Sequence, residues 1–253
     1  MLDQTTIDQL RALRLKGFIE ALQAQTAQPE IHAMSFEERL ALLADRELNS
    51  RADRKRARLL RDAQLKFPDA AIENADFAGV SGIDRKTFTS LALSGWVERG
   101  DTILLEGATG LGKTWAACAL AQYACRQGHS ALFLRMPRLA EELRVLHGAG
   151  SFGKWLLGLA RIDVLLLDDW GTGTLEPSMR ADLLEIVDER AARKATIITH
   201  QLPVEHWHGW IGDVTIADAI LDRLLQREHR FKLEGESRRT GGKKTAAKAA
   251  RKA

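Results

Sequence analysis

The stretch TILLEGATGLGKT, Thr102 to Thr114, runs from a short apolar segment into a loop holding three glycines, a lysine and a threonine. Its last eight residues, Gly107, Ala108, Thr109, Gly110, Leu111, Gly112, Lys113 and Thr114, fit the pattern G-x-x-x-x-G-K-[ST], with a strand reading before and a helix reading after. Gly107, Gly110 and Gly112 let the backbone curl so that successive N–H groups converge on phosphate oxygens. The same groups open a helix whose positive end faces the anion. Lys113 is placed to reach the β and γ phosphates as a point charge, and the Thr114 hydroxyl to join a Mg²⁺ shell. ATP with Mg²⁺ is the expected ligand pair.

Working outward, the chain alternates. Short apolar runs stand at 102–105, 131–135, 163–167, 195–199 and 230–233, and helical stretches at about 113–126, 137–147, 178–193 and 214–227. Strand–helix alternation of this kind predicts an α/β fold, a five-stranded, mostly parallel sheet covered on both faces. The third run, VLLLDDWG (Val164–Gly171), delivers two adjacent carboxylates to a strand end. Asp168 is the natural partner of a metal held by Thr114. One protein acid suffices for Mg²⁺, so Asp169 is left to activate or orient a water, or, alternatively, to cap the loop that follows. The strand ATIITHQ places Thr199 and His200 where a polar side chain would sense the γ-phosphate. Arg223 adjoins the apolar face Ile216, Ala219, Ile220 and Leu224. It is suited to act as an arginine finger toward a neighbouring subunit, or to pair with Asp222 or Asp218.

The first part of the chain is helical in pattern. Residues 5–26 read as one amphipathic helix, with Ile7, Leu10, Leu13, Gly17 and Leu22 near one face. A second helix opens with the capping box Ser35–Glu38 and runs to about Lys66, before Phe67-Pro68. In it Arg51, Arg54, Lys55, Arg58 and Arg61 fall on one side, a spacing that follows a phosphate backbone or makes a solvated face. The expected domains are a helical DNA- or partner-binding domain over 1–68, a nucleotide-binding domain over 69–238, and a basic tail over 239–253. In HWHGW (His206–Trp210) two His at that spacing suit no zinc site, and the Trp rings suit packing.

The net charge of +3 hides an asymmetry: from Arg227 onward there are ten Lys/Arg against three Asp/Glu, leaving the rest of the chain acidic. The closing TGGKKTAAKAARKA has no large apolar side chain and is expected to be disordered when free, favouring polyanions or merely solubility. No apolar run approaches a membrane span and the N-terminus lacks a signal-peptide core, so a cytoplasmic location with no membrane partner is expected. Cys118 and Cys125, the two cysteines, read as reduced, packed thiols.

GATGLGKTWAACALA, LLLDDWG, IITHQLPVEHWHGWIGD, ADAILDRL and LEGESRR together resemble the IstB-like ATP-binding proteins. These are helper ATPases of insertion-sequence transposition, relatives of the DnaC helicase loader within the AAA+ class. LRLKGFIEAL and FEERLALLADRE resemble that family's small helical domain, so the resemblance leaves only the Lys/Ala tail outside. It implies a AAA+ fold, ATP-dependent homo-oligomerisation on double-stranded DNA, and a transposase of the same element as partner. It implies metal binding for Asp168, water activation for Asp169 and the finger position for Arg223. His200 departs from the Ser or Asn of the sensing position, with Thr199 as a substitute, and Arg238 or Arg239 is a candidate second sensor. A DnaC-like replicative helicase loader and a non-hydrolysing, ATP-gated DNA scaffold stay open. A small-molecule kinase would need an Arg-rich lid that the segments between the motifs lack.

Overall fold

A computed structural model describes residues 3–237. The tail expectation for 239–253, Arg238 and Arg239 fall outside those residues. The chain divides into two compact units between Arg58 and Leu59.

In the first unit the helix expected over 5–26 is two helices, α1 (Gln4–Ala12) and α2 (Lys16–Thr26). Arg14 separates them with φ +58°, a left-handed conformation costly for a residue with a Cβ. Helix α3 (Phe36–Asp62) starts at the expected capping box: Glu38 N donates to Ser35 Oγ at 3.2 Å, and Ser35 N to the Glu38 carboxylate at 2.8 Å. Gly17 is required by close approach, since a Cβ there would stand 2.6 Å from Ser50 Cβ. Beside it the buried Glu47 accepts from Phe18 N at 3.0 Å, satisfying a donor at the start of α2.

The division falls inside α3 and not at residue 68. Leu59 and Leu60 already pack against the core of the second unit, and Ala63 and Leu65 are buried in it. The apolar residues, and not the stop at Pro68, set the boundary.

The second unit is built on β1 (Val80–Ser81), β2 (Thr102–Gly107), β3 (Ala131–Arg135), β4 (Val164–Trp170), β5 (Ala195–His200) and β6 (Glu228–Gly235). The order is β1-β6-β2-β5-β4-β3, with every pair parallel except β1–β6. The described residues thus hold six strands where five were expected. The extra one is two residues long, too short to show a period. Between the strands lie α4 (Arg85–Ala92), α5 (Trp96–Arg99), α6 (Lys113–Arg126), α7 (Met136–Gly148), α8 (Phe152–Leu159), α9 (Pro177–Arg190), α10 (Trp207–Ile211) and α11 (Val214–Leu225).

Strand alternation splits the core in two. Ile103, Leu105, Leu166 and Ile197 face one cluster, filled by the Ala- and Cys-rich α6. Leu104, Leu165, Leu167 and Ile198 face the other, filled from α7, α9, α10 and α11. Burial pushes the Cys118 and Cys125 thiols up to about 11, so both are inert packing groups. Arg190 is buried and donates to Leu159 O, Ile162 O and Ala195 O at 2.7–2.9 Å, tying α8 to the start of β5. Burial pushes its pKa down to about 10, which leaves it charged at neutral pH. The HWHGW aromatics pack: Trp207 is buried and donates to Leu202 O, and Trp210 donates to Gly173 O.

Candidate functional site: a nucleotide cradle beside a bulged acidic strand

Strand β2 ends in the glycine loop at the C-terminal edge of the parallel sheet, where open α/β sheets bind ligands. Gly107 has φ +149° and a Cβ there would stand 2.5 Å from Leu233 O. Gly112, at φ +91°, opens α6 with free space where a Cβ would be. Both positions keep the backbone N–H groups accessible to an anion. Lys113 Nζ folds back and donates to Gly107 O at 2.6 Å and Ala108 O at 2.8 Å. Thr109 Oγ1 donates to Gln201 Oε1 at 2.9 Å, joining the loop to the residue just after β5.

Asp168 is the hub. It is fully buried, and its Oδ1 accepts from Thr114 Oγ1 and from Thr199 Oγ1, each at 2.7 Å. Its Oδ2 takes no hydrogen bond, and the Lys66 ammonium lies 3.9 Å away. A buried carboxylate oxygen without a donor, beside a hydroxyl at a P-loop helix start, is a hard-oxygen set that suits Mg²⁺.

The two adjacent acids are separated by a β-bulge. Leu167 pairs with Ile198 and Trp170 with His200, so Asp168 and Asp169 together oppose Thr199. Asp169 takes φ +62°, and its N–H donates to Thr199 Oγ1 at 3.2 Å. The bulge re-aims the second side chain. Asp168 stays buried under the loop, while Asp169 lines a cavity of about 730 Å³ with Lys113, Thr114, Arg135 and Gln201. There Arg135 Nε donates to Asp169 Oδ2 at 2.7 Å, and Asp169 in turn raises the Arg135 pKa.

Thr199 therefore sits among the acids, whereas His200 does not line the cavity. Its ring packs edge-on against Trp207 with centroids 4.9 Å apart, and Nδ1 donates to Leu202 O at 2.9 Å. The alternation of β5 explains the split, because neighbouring strand residues face opposite sides of the sheet. Burial pushes the His200 pKa down to about 4, so the ring is neutral near pH 7. Its folded pKa lies below the ordinary value of 6.5. The unfolded chain thus takes up the proton first as the pH falls. Stability from this group is full above about pH 6.5, and about 3 kcal/mol is lost as the pH drops toward 4. Unfolding free energies measured across that range should fall less steeply for His200→Leu, and identical slopes would contradict the assignment.

Arg223 is away from its own chain's cavity. Its Nε donates to Asp188 Oδ1 at 2.5 Å, so the ion-pair partner is Asp188 on α9 and neither Asp222 nor Asp218. In the first unit, Arg51, Arg54, Lys55 and Arg58 line one shallow surface cleft. Arg51 and Arg54 share the buried Glu47 at 2.6 and 3.4 Å, while Lys55 and Arg58 have no carboxylate partner among the described residues. Arg61, past the division, pairs with Asp62. Among the cavity residues to which sequence reasoning gave no role are Lys66 and Arg135, outside every motif, and Gln201, the last residue of ATIITHQ.

Strand order, glycine loop and acidic strand end together define a P-loop nucleotide-binding fold. The chain belongs to the IstB-like ATP binding protein family, whose model matches residues 8–246. It is 50% identical over 203 residues to a Pseudomonas fluorescens protein named for ATP binding in insertion sequence IS1162, covering 80% of this chain and 88% of that one. A Sinorhizobium fredii protein, named likewise for an insertion sequence, is 42% identical over 94% of this chain and 97% of its own length. The crystal structure of the DnaC helicase loader shares the fold with a TM-score of 0.54 and 18% identity, covering 66% of this chain and 97% of that one. Among the described residues no helix is long and apolar enough to cross a membrane.

Proposed function

We propose that the chain is an ATP-hydrolysing, DNA-binding protein that oligomerises on double-stranded DNA and assists the transposase of its insertion sequence. The observation that carries the reading is the bulge. It gives Asp168 to Thr114 and leaves Asp169 facing the cavity.

In this reading the backbone N–H groups of 107–114 and Lys113 bind the phosphates. Lys113 leaves the loop carbonyls to do so, its ammonium changing partners within a few ångströms. Thr114 and Asp168 hold Mg²⁺, which when bound neutralises phosphate charge and polarises the terminal phosphoryl group. Thr199 fixes Asp168 through its hydroxyl and Asp169 through the backbone, keeping the two acids in register. Asp169 orients the attacking water, Gln201 stands at the loop beside it, and Arg223 reaches a neighbouring subunit's nucleotide. The Arg135–Asp169 pair takes one carboxylate oxygen and spreads its charge, so in this reading Asp169 reaches full strength toward water only after that pair opens. A subunit without neighbours and DNA is then slow.

That pair is also the observation favouring a non-hydrolysing scaffold, in which it never opens. Multiple-turnover phosphate release in the presence of duplex DNA separates the two. Co-purification with a transposase, against a replicative helicase, separates transposition from helicase loading.

DNA contacts in this reading come from the cleft of Arg51, Arg54, Lys55 and Arg58, with Arg61 beyond it, largely to phosphates and so weakly dependent on sequence. Replacing Arg54 and Arg58 by Ala should flatten the dependence of log affinity on log salt by about 1–2. Duplex binding measured between low and physiological salt gives that slope. An unchanged slope removes the cleft from the interface.

A further inference from the structure

We propose that Lys66 is the resident countercharge of the metal-site acid, given up when Mg²⁺ is taken up, and that it thereby sets the metal concentration at which the chain loads nucleotide. The inference rests on the Mg²⁺–nucleotide reading of the site and adds to it a residue outside every motif.

Asp168 lies fully buried. A fully buried carboxylate needs a charge partner or a full set of donors. Two hydroxyls serve Oδ1 and nothing donates to Oδ2. Three cations line the cavity, and two are engaged elsewhere: Lys113 with the loop carbonyls and Arg135 with Asp169. Lys66 is the third, with Nζ 3.9 Å from Oδ2. That separation is an ion pair but too long for a hydrogen bond, the contact of a charge that is held loosely.

The segment around Lys66 is anchored while its side chain is not. Phe133 N, on the edge strand β3, donates to Ala63 O at 3.0 Å, and Leu65 is buried. The Lys66 side chain remains 40% exposed, and its ammonium lies 5.8 Å from the centre of the Phe67 ring. A four-carbon stem rooted in fixed backbone can swing its charge to water without moving the fold. A divalent ion at Asp168 and an ammonium within about 4 Å of the same carboxylate repel each other, so one excludes the other.

The test uses the full-length chain and MgCl₂ titrated against a fluorescent ADP, so that no turnover is involved. Lys66→Met should lower the Mg²⁺ midpoint for nucleotide binding by about fivefold or more, because a competitor has been removed. Lys66→Arg, which keeps the charge, should stay near wild type. Melting in EDTA without nucleotide should fall for Lys66→Met, leaving Asp168 uncompensated, and return to the wild-type value with Mg²⁺ and ADP. A merely structural lysine would lower both melting temperatures and leave the midpoint in place, which overturns the proposal. A raised midpoint also overturns it, making Lys66 a phosphate ligand. If the wild-type chain binds the nucleotide with no dependence on Mg²⁺, the reading of the metal site itself falls, a result distinguishable from either.

Discussion

Replacing Asp169 by Asn is expected to cut ATP turnover by a factor on the order of 10²–10⁴, with nucleotide affinity unchanged within a few-fold. The separation of effects follows from the bulge. Asp168 holds the Thr114 hydroxyl and stays beneath the loop, whereas Asp169 faces the cavity and hydrogen-bonds Arg135 and Thr199. Asn has the same shape, and its carbonyl oxygen can still accept from Arg135. The positive φ of Asp169 is also one that Asn tolerates better than most residues. What disappears is a full negative charge able to polarise a water. Turnover and fluorescent-nucleotide affinity measured on the same preparation decide the matter. A variant that loses affinity together with turnover would put Asp169 in the binding set, and one with normal turnover would remove it from the chemistry.

The second large effect is expected at Arg223. Its Ala variant should hydrolyse ATP about 10³-fold or more slowly, the range for removal of an arginine finger. The fold should tolerate the change. The side chain pairs with an exposed Asp188 at the surface of α9, and such pairs contribute at most about 1 kcal/mol. Mixing gives the sharper form of the experiment. In a mixed oligomer, an Asp169→Asn subunit supplies an intact Arg223 to the intact Asp169 of an Arg223→Ala subunit. Two inactive preparations should therefore regain a fraction of wild-type turnover when combined. If Arg223→Ala is as active as wild type, or the mixture stays inactive, Arg223 does not act across subunits.

GATGLGKT is contiguous, its fixed positions Gly107, Gly112, Lys113 and Thr114 are dictated by phosphate geometry, and it lies between a strand and a helix as expected. The partnership of Thr114 with Asp168 crosses fifty-four positions, and it was legible because parallel strands end on one edge of the sheet. The bulge was not legible. VLLLDDWG reads equally well as a regular strand, and the extra residue shows only in the pairing with β5. That one irregularity decides whether Asp169 joins Asp168 beside Thr199 or falls beside His200.

Arg135 and Gln201 each stand at the carboxyl end of a strand, β3 or directly after β5. The rule that ligands gather at those ends was the signal that could have found them. Lys66 left no comparable trace, because it reaches the site through the pairing of Ala63 with β3, a contact without a local pattern. The break at Arg14 was hidden in the same way, inside a stretch whose apolar period continues through it. Helix α8, FGKWLLGL, was passed over because two glycines interrupt a short apolar run.

The central claim, that this is an ATP-hydrolysing machine assembled on duplex DNA, is tested most directly by phosphate release from excess ATP by the wild-type chain, with and without double-stranded DNA. The account predicts repeated turnover that rises when DNA is present, as neighbours supply Arg223 and the Arg135–Asp169 pair opens. ATP and DNA both bound, with no phosphate released beyond a single turnover, would contradict it.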